Sequence, residues 1–257
     1  MGKVYLIGAG PGDPELLTLK AARLLATADV VLHDALVSDA VLAMVSPAAE
    51  LINVGKRAGH KLLTQEEINA LLVSYGRTRA VVVRLKGGDP TIFGRAGEEI
   101  EALRSAGVEH EIVPGISAAL GAAAAAGISL TDRRVASQIL VTTFSRGIGG
   151  SAMDWGCVTS TTTLVLYMPG ADYAEASERL LAGGLPADLP CVIVSHATGS
   201  QQQVRWSNVA RLASEERLPA PALLIVGRVA SQDVAEISAR FWSANRKDPD
   251  LQQPSVI

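Results

Sequence analysis

Short apolar segments that end in glycine or acidic loops alternate with helical stripes through the first half of this chain, and no other feature constrains its fold as strongly. Residues 4–7 form an apolar run closed by Gly8, and residues 14–28 carry apolar side chains at helical spacing. The same order recurs at 80–85 with 96–106 and at 111–113 with 116–126, where Gly127 is expected to end the helix. Strands that alternate with helices predict a mostly parallel sheet covered on both faces.

Local patterns predict the remaining elements and divide the chain into two domains. Apolar runs at 30–32 and 51–54 predict strands, and Thr64 with Glu67 forms a capping box that opens a helix over 66–75. Beyond Arg133 the pattern changes, and we expect strands at 137–143, 163–167, 191–194 and 223–226, with helices at 173–181 and 209–216. We therefore predict an α/β protein with an N-terminal α/β domain over 1–132, a C-terminal α/β domain over 133–244 and a mobile tail over 245–257.

Composition excludes several classes of protein. A chain of 257 residues with 48% apolar and 19% charged residues is expected to fold as a globular protein. A net charge of −3 and an aromatic content of 4% give no sign of a nucleic-acid surface. Cys157 and Cys191 lie in no metal-binding pattern, so we expect small buried hydrophobic residues and no metal. The longest apolar stretch, 118–130, is too short for a bilayer and the N-terminus lacks a signal-peptide pattern, which predicts a cytoplasmic protein without membrane partners.

The first glycine loop resembles a dinucleotide-binding loop only superficially. Gly8, Gly10 and Gly12 follow a predicted strand, but their spacing is GxGxG and not GxGxxG. Pro11 lacks the N–H that would face a pyrophosphate, and Asp13 would stand beside that anion. Asp13 is better explained as a helix N-cap with Pro14 in the first helical position. A dinucleotide-binding oxidoreductase remains an alternative function on this pattern.

A second glycine loop lies in RLKGGDPTIFGR, residues 84–95, directly after a predicted strand. Open α/β sheets bind their ligands at the carboxyl ends of strands, which makes this loop a candidate binding site. Ordinary turn chemistry is the alternative explanation for residues 87–90. An acidic turn without a phosphate cradle suits a neutral or cationic ligand.

Five segments together resemble one enzyme family. They are GAGPGDPELLTLKA (8–21), HDALVS (33–38), VGKRAGH (54–60), RLKGGDPTIFGR (84–95) and VPGISAA (113–119). Their order along the chain and their residues are similar to those of the S-adenosylmethionine-dependent uroporphyrinogen-III C-methyltransferases, which have the tetrapyrrole methylase fold. The resemblance implies two α/β domains with the cofactor in the cleft between them, and a homodimer.

The resemblance also implies roles for particular residues. Asp34 matches the proposed proton acceptor of the family and Lys56 its proposed proton donor. Residues implied to face the tetrapyrrole are Arg95, Glu98 and Arg133. Residues implied to contact the cofactor are Pro11, Gly87, Gly88, Asp89, Ile92, Ser117, Ala118, Met168 and Ala197, the last of which stands where the family usually has glycine.

The implied reaction is the C-methylation of uroporphyrinogen III at C-2 and C-7, giving precorrin-2 via precorrin-1. In such an in-line methyl transfer the protein mainly holds the reactants in place and excludes water, and a carboxylate such as Asp34 can accept the proton that the ring then loses. A substrate with eight carboxylates needs a local basic surface, for which Lys56, Arg57, His60 and Lys61, together with Arg95, Arg133 and Arg134, are candidates.

Each implied role has a simpler alternative. Asp34 could cap a helix, Lys56 could anchor a carboxylate, Met168 could fill a core, and each arginine could be ordinary solvated surface. This chain also departs from the family at His33 and Thr91, and in the segments TDRR (131–134) and LVTTFS (140–145). A related methylase acting on another precorrin therefore remains an alternative.

Overall fold

The computed structural model describes residues 2–57, 60, 61, 63–144, 155–170, 173–231 and 233, and describes no side chains for residues 56, 57, 60 and 61. The chain forms two compact units. The first comprises residues 1–121 with 198–200, and the second comprises the remaining described residues. The domain boundary between residues 132 and 133 stays a prediction, and the tail over 245–257 lies outside the described residues.

The first unit is built on a five-stranded sheet in which every strand is parallel to its neighbours, as the sequence predicted. Its spatial order is β3-β2-β6-β1-β7. A separate antiparallel pair is formed by β4 and β5. The strands are β1 (Lys3–Gly8), β2 (Val30–His33), β3 (Glu50–Asn53), β4 (Lys56–Arg57), β5 (His60–Lys61), β6 (Val81–Lys86) and β7 (Glu109–Val113).

Helices cover both faces of this sheet. Buried residues of α1 and α2 pack on one face, and buried residues of α3 and α4 pack on the other. The capping box predicted at Thr64 and Glu67 is confirmed at the start of α3, and Gly127 ends α5 with a φ of +68°. The helices are α1 (Leu19–Ala26), α2 (Asp39–Leu42), α3 (Gln65–Thr78), α4 (Ala96–Ser105) and α5 (Ala118–Ala126).

The prediction of one helix over residues 14–28 was wrong. A short 3-10 helix, Pro14–Leu16, is capped by the Asp13 carboxylate, which accepts a hydrogen bond from the Glu15 N–H at 2.9 Å. Leu17 is extended, and α1 begins afresh after Thr18, whose hydroxyl accepts from the Ala21 N–H at 3.2 Å. The N-cap role proposed for Asp13 is confirmed, but two caps in sequence divide the apolar stripe into two helices.

The second unit has a mixed sheet in the order β11-β10-β12-β9-β8. Strands β8 and β9 are parallel, whereas the other pairs are antiparallel. Helix α6 (Ala174–Ala182) packs on one face, where Leu164, Ile193 and Leu224 belong to one buried cluster with Leu180. The strands are β8 (Gln138–Thr143), β9 (Thr162–Tyr167), β10 (Pro190–Ser195), β11 (Gln203–Asn208) and β12 (Ala222–Val226).

Two expectations for the second unit were wrong, and one strand was missed. The helix predicted over 209–216 is only a 3-10 helix, Arg211–Ser214, which ends where the backbone becomes extended at Glu215. Strand β11 itself was not predicted. Cys157 is exposed, whereas Cys191 is buried as expected, and burial, with a smaller contribution from the charge of Glu215, raises the pKa of its thiol to about 12.

Two negative observations apply to the described part of the chain. None of its helices combines the length and the apolar character that crossing a bilayer requires. No three His, Cys, Asp or Glu side chains group there in a way that could hold a metal ion.

Three glycines let the backbone segments at the carboxyl ends of β1, β6 and β7 pack against one another. A Cβ atom on Gly115 would lie 2.5 Å from the Gly88 carbonyl oxygen and 2.8 Å from the Gly8 Cα. A Cβ atom on Gly8 would lie 2.6 Å from the same carbonyl oxygen. Because these neighbours are backbone atoms at the ends of three adjacent strands, they cannot move aside as a side chain would.

We expect Gly115→Ala to lower the free energy of unfolding by about 3 kcal/mol, the upper end of the usual cost of overpacking. The matched control is Gly97→Ala, because a Cβ atom there meets nothing within 4 Å. That substitution should leave stability unchanged or raise it by up to about 1 kcal/mol, since alanine favours a helix more than glycine does. Urea denaturation of both variants measures the difference, and equal midpoints would contradict this account of the junction.

Candidate active site

The loops that follow β1 and β6 are joined by backbone hydrogen bonds at the carboxyl edge of the first sheet. The Gly10 N–H donates to the Gly88 carbonyl at 3.2 Å, and the Gly88 N–H donates to the Gly10 carbonyl at 2.8 Å. Both glycines have a positive φ, +71° and +67°. The two glycine loops singled out in the sequence therefore form one structure, in which these amides are already paired.

The Asp89 carboxylate is held by its own turn and by the segment that follows β7. It accepts hydrogen bonds from the Thr91 N–H at 2.8 Å, from the Thr91 hydroxyl at 2.5 Å and from the Gly115 N–H at 3.0 Å. Partial burial raises the pKa of Asp89, but these hydrogen bonds outweigh burial, and the pKa lies below its usual value. Turn chemistry, together with one hydrogen bond from the segment after β7, thus accounts for this side chain.

The start of α5 lies against the same loops. A Cβ atom on Gly88 would lie 3.3 Å from the Ala118 nitrogen, and one on Gly121 would lie 2.6 Å from the Pro11 Cβ. The Ser117 carbonyl accepts from the N–H of Leu120 at 3.0 Å as the helix begins. The structure therefore brings together six of the predicted cofactor residues, Pro11, Gly87, Gly88, Asp89, Ser117 and Ala118. Ile92 follows in the Asp89 turn with its side chain exposed.

Asp34 lies at this same edge, in the loop after β2. Its N–H donates to the Leu85 carbonyl at 3.1 Å, and the Ser38 hydroxyl in the same loop donates to the Gly12 carbonyl at 2.7 Å. The carboxylate is partly open, with 30% of the side chain exposed. Because all strands of this sheet are parallel, the loop that carries Asp34 adjoins both glycine loops.

A buried charged network lies behind Asp34. Alternation along β6 directs Arg84 and Lys86 to the face that carries Val82, which α3 and α4 cover. There Glu99 of α4, fully buried, accepts from Arg84 Nε at 2.9 Å and from Lys86 Nζ at 2.8 Å and 3.0 Å. Arg84 Nη2 also donates to Asp34 Oδ1. The network thus links the interior of the first unit to the edge of its sheet.

The network shifts the pKa values of its two cations in opposite directions. Burial alone would lower the pKa of Arg84, but the charges of Asp34 and Glu99 outweigh burial and raise it. For Lys86, burial and the nearby Arg84 charge together lower the pKa in spite of the attraction of Glu99. Arg84 is therefore the firmly charged partner of both carboxylates.

Residues of the second unit that were predicted to contact the cofactor follow two of its strands. Met168 comes directly after β9, is 50% exposed and has a φ of +50°. Ala197 is buried and follows His196, the first residue after β10, which has a φ of +46°. A positive φ is uncommon for residues other than glycine and concentrates at functional sites. Because β9 and β10 both run antiparallel to β12, these residues lie at one edge of the second sheet.

The residues predicted to face the tetrapyrrole are exposed. Arg95 precedes α4 with a φ of +57°, and its guanidinium forms a two-point ion pair with Glu98, at 2.7 Å and 2.6 Å. Arg133 is exposed in the second unit, next to Arg134, which pairs with Asp132. The structure does not describe the side chains of Lys56, Arg57, His60 and Lys61. The basic cluster that they were predicted to form stays a prediction.

Comparison with known families identifies the fold. Residues 3–213 match the tetrapyrrole (corrin/porphyrin) methylases. The chain belongs to this family. The predicted family and fold class are thereby confirmed.

Individual relatives of this tetrapyrrole methylase are similar over most of its length. The uroporphyrinogen-III C-methyltransferase of Paracoccus denitrificans is 50% identical over 236 residues, covering 90% of this chain and 82% of the relative. A siroheme synthase of Zymomonas mobilis is 42% identical over all of this chain, which spans only 54% of that protein. The uroporphyrin-III C-methyl transferase of Thermus thermophilus complexed with S-adenyl homocysteine is 39% identical, with a TM-score of 0.78 over 92% of this chain and 100% of that one.

Sequence reasoning missed the buried partners of Asp34 in this methylase. A signal was present, because Arg84 and Lys86 stand at alternate positions of a strand whose other residues are apolar, and buried cations require partners. Glu99 shares helical spacing with the apolar Ala96 and Leu103, which places it on the buried face of α4. The neighbouring Glu98 was singled out instead, and it is exposed.

Proposed function

We propose that this methylase transfers methyl groups from S-adenosylmethionine to C-2 and C-7 of uroporphyrinogen III, giving precorrin-2 via precorrin-1 and releasing S-adenosylhomocysteine. The observation that carries the proposal is the joined pair of glycine loops in a chain of this family. The amides of Gly10 and Gly88 each donate to the carbonyl of the other loop. With Pro11, Asp13 and Asp89 beside them, the loops form no cradle for a phosphate. A cationic sulfonium cofactor suits such a site better than a dinucleotide does.

The residues around these loops fit the cofactor. The backbone of residues 87–89, the start of α5 at Ser117 and Ala118, and Pro11 would hold it, with Ile92, Met168 and Ala197 as further contacts. The cofactor supplies the electrophilic methyl group. The protein aligns the reacting carbon with that group and excludes water, which requires neither a metal ion nor a nucleophilic side chain.

Asp34 is the proposed proton acceptor after methyl transfer. Its carboxylate is partly open and forms an ion pair with the buried Arg84 guanidinium. A ring that has just been alkylated is cationic and gives up its proton readily, so a weak base suffices. Lys56 remains the proposed proton donor on the strength of the family motif alone.

Substrate carboxylates are proposed to bind Arg95 and Arg133, with Glu98 beside Arg95. The Arg95–Glu98 pair is exposed, so it contributes little to folding and a substrate carboxylate can replace Glu98 as the partner of the guanidinium. We further propose that the enzyme is a cytoplasmic homodimer, in accord with the family. Sedimentation at micromolar concentration should then give twice the chain mass, and an active monomer would overturn this part alone.

Mass spectrometry of the products from uroporphyrinogen III and S-adenosylmethionine tests the proposed activity. We expect two added methyl groups on the tetrapyrrole. No methylation, together with calorimetric binding of S-adenosylhomocysteine, would instead favour a methylase that acts on another precorrin. Micromolar, saturable binding of NAD with no binding of S-adenosylhomocysteine would favour the oxidoreductase alternative.

A further inference from the structure

The network of Arg84, Lys86, Glu99 and Asp34 is an unusual feature for a protein interior. The side chains of Arg84 and Lys86 are 3% exposed and that of Glu99 is fully buried. Removing such charges from water is costly, and well-packed apolar residues would serve stability as well or better. These buried charges are therefore better explained by their effect on Asp34, the member of the network that reaches the surface.

The guanidinium of Arg84 is fixed on several sides. Nε donates to Glu99 at 2.9 Å, and Nη1 lies 3.4 Å and 3.3 Å from the carbonyl oxygens of Leu32 and Leu85. This leaves Nη2 directed at Asp34 Oδ1. Because the guanidinium is planar and rigid, fixing Nε and Nη1 fixes the direction in which Nη2 points.

Asp34 is consequently held by one of its two oxygens. Oδ1 accepts from Arg84, whereas Oδ2 has no hydrogen-bond partner among the residues that the structure describes. Such an arrangement orients the carboxylate while leaving one oxygen to receive a proton. A proton acceptor must be placed within hydrogen-bond reach of the proton that it removes, so this orientation has a direct chemical use.

We propose that Glu99 is a positioning residue for the Asp34 carboxylate and acts through the Arg84 guanidinium. Glu99 anchors Nε, Lys86 balances the charge of Glu99, and Gln65 of α3 adds a long contact of 3.5 Å to the same Glu99 oxygen. Glu99 lies in the interior and does not touch Asp34, so its effect on the reaction passes through Arg84. This inference rests on the proposed role of Asp34 in methyl transfer.

A double-mutant cycle tests the proposal with the chain of 257 residues. We expect Glu99→Gln to lower kcat about 10- to 100-fold, the scale of a small misplacement of a reacting group, with little change in the KM for uroporphyrinogen III or in the calorimetric Kd for S-adenosylhomocysteine. In an Asp34→Asn background the same substitution should have no further effect on kcat, because the group that it positions is gone. Glu101→Gln is the matched control, since Glu101 is an exposed carboxylate on the same helix.

Each outcome of this cycle decides the proposal. Equal losses of kcat from Glu99→Gln in both backgrounds, or full kcat in the folded single variant, would overturn it and leave Glu99 as a structural ion pair. If Glu99→Gln does not fold, the charge-balanced variant Lys86→Met with Glu99→Gln replaces it in the same cycle, with the same expectation. Absence of turnover in the parent enzyme would overturn the proposed function, whereas turnover with additive losses would overturn only the positioning role.

Discussion

Asp34→Asn should lower kcat about 10²- to 10⁴-fold, the usual contribution of a general base, while S-adenosylhomocysteine binds with nearly unchanged affinity. Asparagine has the shape of aspartate and can still accept a hydrogen bond from Arg84 Nη2, so the loop after β2 should keep its conformation. What the variant loses is the negative oxygen that would take the proton. Single-turnover and steady-state kinetics with uroporphyrinogen III measure the loss, and calorimetry measures cofactor binding.

Variants of the residues proposed to bind the substrate should show the opposite kinetic pattern, and they serve as the comparison for Asp34→Asn. Arg95→Ala and Arg133→Ala should each raise the KM for uroporphyrinogen III about 10- to 150-fold, the equivalent of one lost charge-assisted contact, with little change in cofactor affinity. A kcat near that of the parent in Asp34→Asn would make Asp34 a structural carboxylate. An unchanged KM in both arginine variants would return them to ordinary surface residues.

The fold of the first unit could be predicted because its patterns are local. Strands of its parallel sheet contain short apolar runs, and the capping box at Thr64 and Glu67 marks a helix start with a pair of hydrogen bonds only three residues apart. The antiparallel pair β4 and β5 has no apolar residue and was not predicted. The second unit was harder, because its sheet is mixed and strand β11 combines half-buried Val204 and Trp206 with polar neighbours. Antiparallel edge strands of this kind depend on partners far away in sequence, which a local pattern does not report.

The site could be predicted only in part, for a related reason. The glycine loops and Asp34 stand out because they follow strands, and parallel strands bring their carboxyl ends together. The pairing of Gly10 with Gly88 joins loops 78 residues apart and depends on β1 lying beside β6 in the sheet. The charges of Arg84 and Glu99 likewise meet only when α4 packs on the face of β6 that carries Val82, so their partnership belongs to tertiary structure.

Glu99→Leu should lower the free energy of unfolding by about 3 to 5 kcal/mol, the usual cost of removing one partner from a buried ion pair. The loss arises because, among the described contacts, Arg84 would keep only Asp34 as a carboxylate partner and the buried Lys86 would have none. Adding Lys86→Met restores the balance of charge, and the double variant should return to within about 1 to 2 kcal/mol of the parent. Glu101→Leu, at an exposed position of the same helix, should change stability by no more than about 0.5 kcal/mol. Urea denaturation of the four proteins measures these values, and a double variant no more stable than Glu99→Leu would show that lost packing, and not unpaired charge, causes the effect.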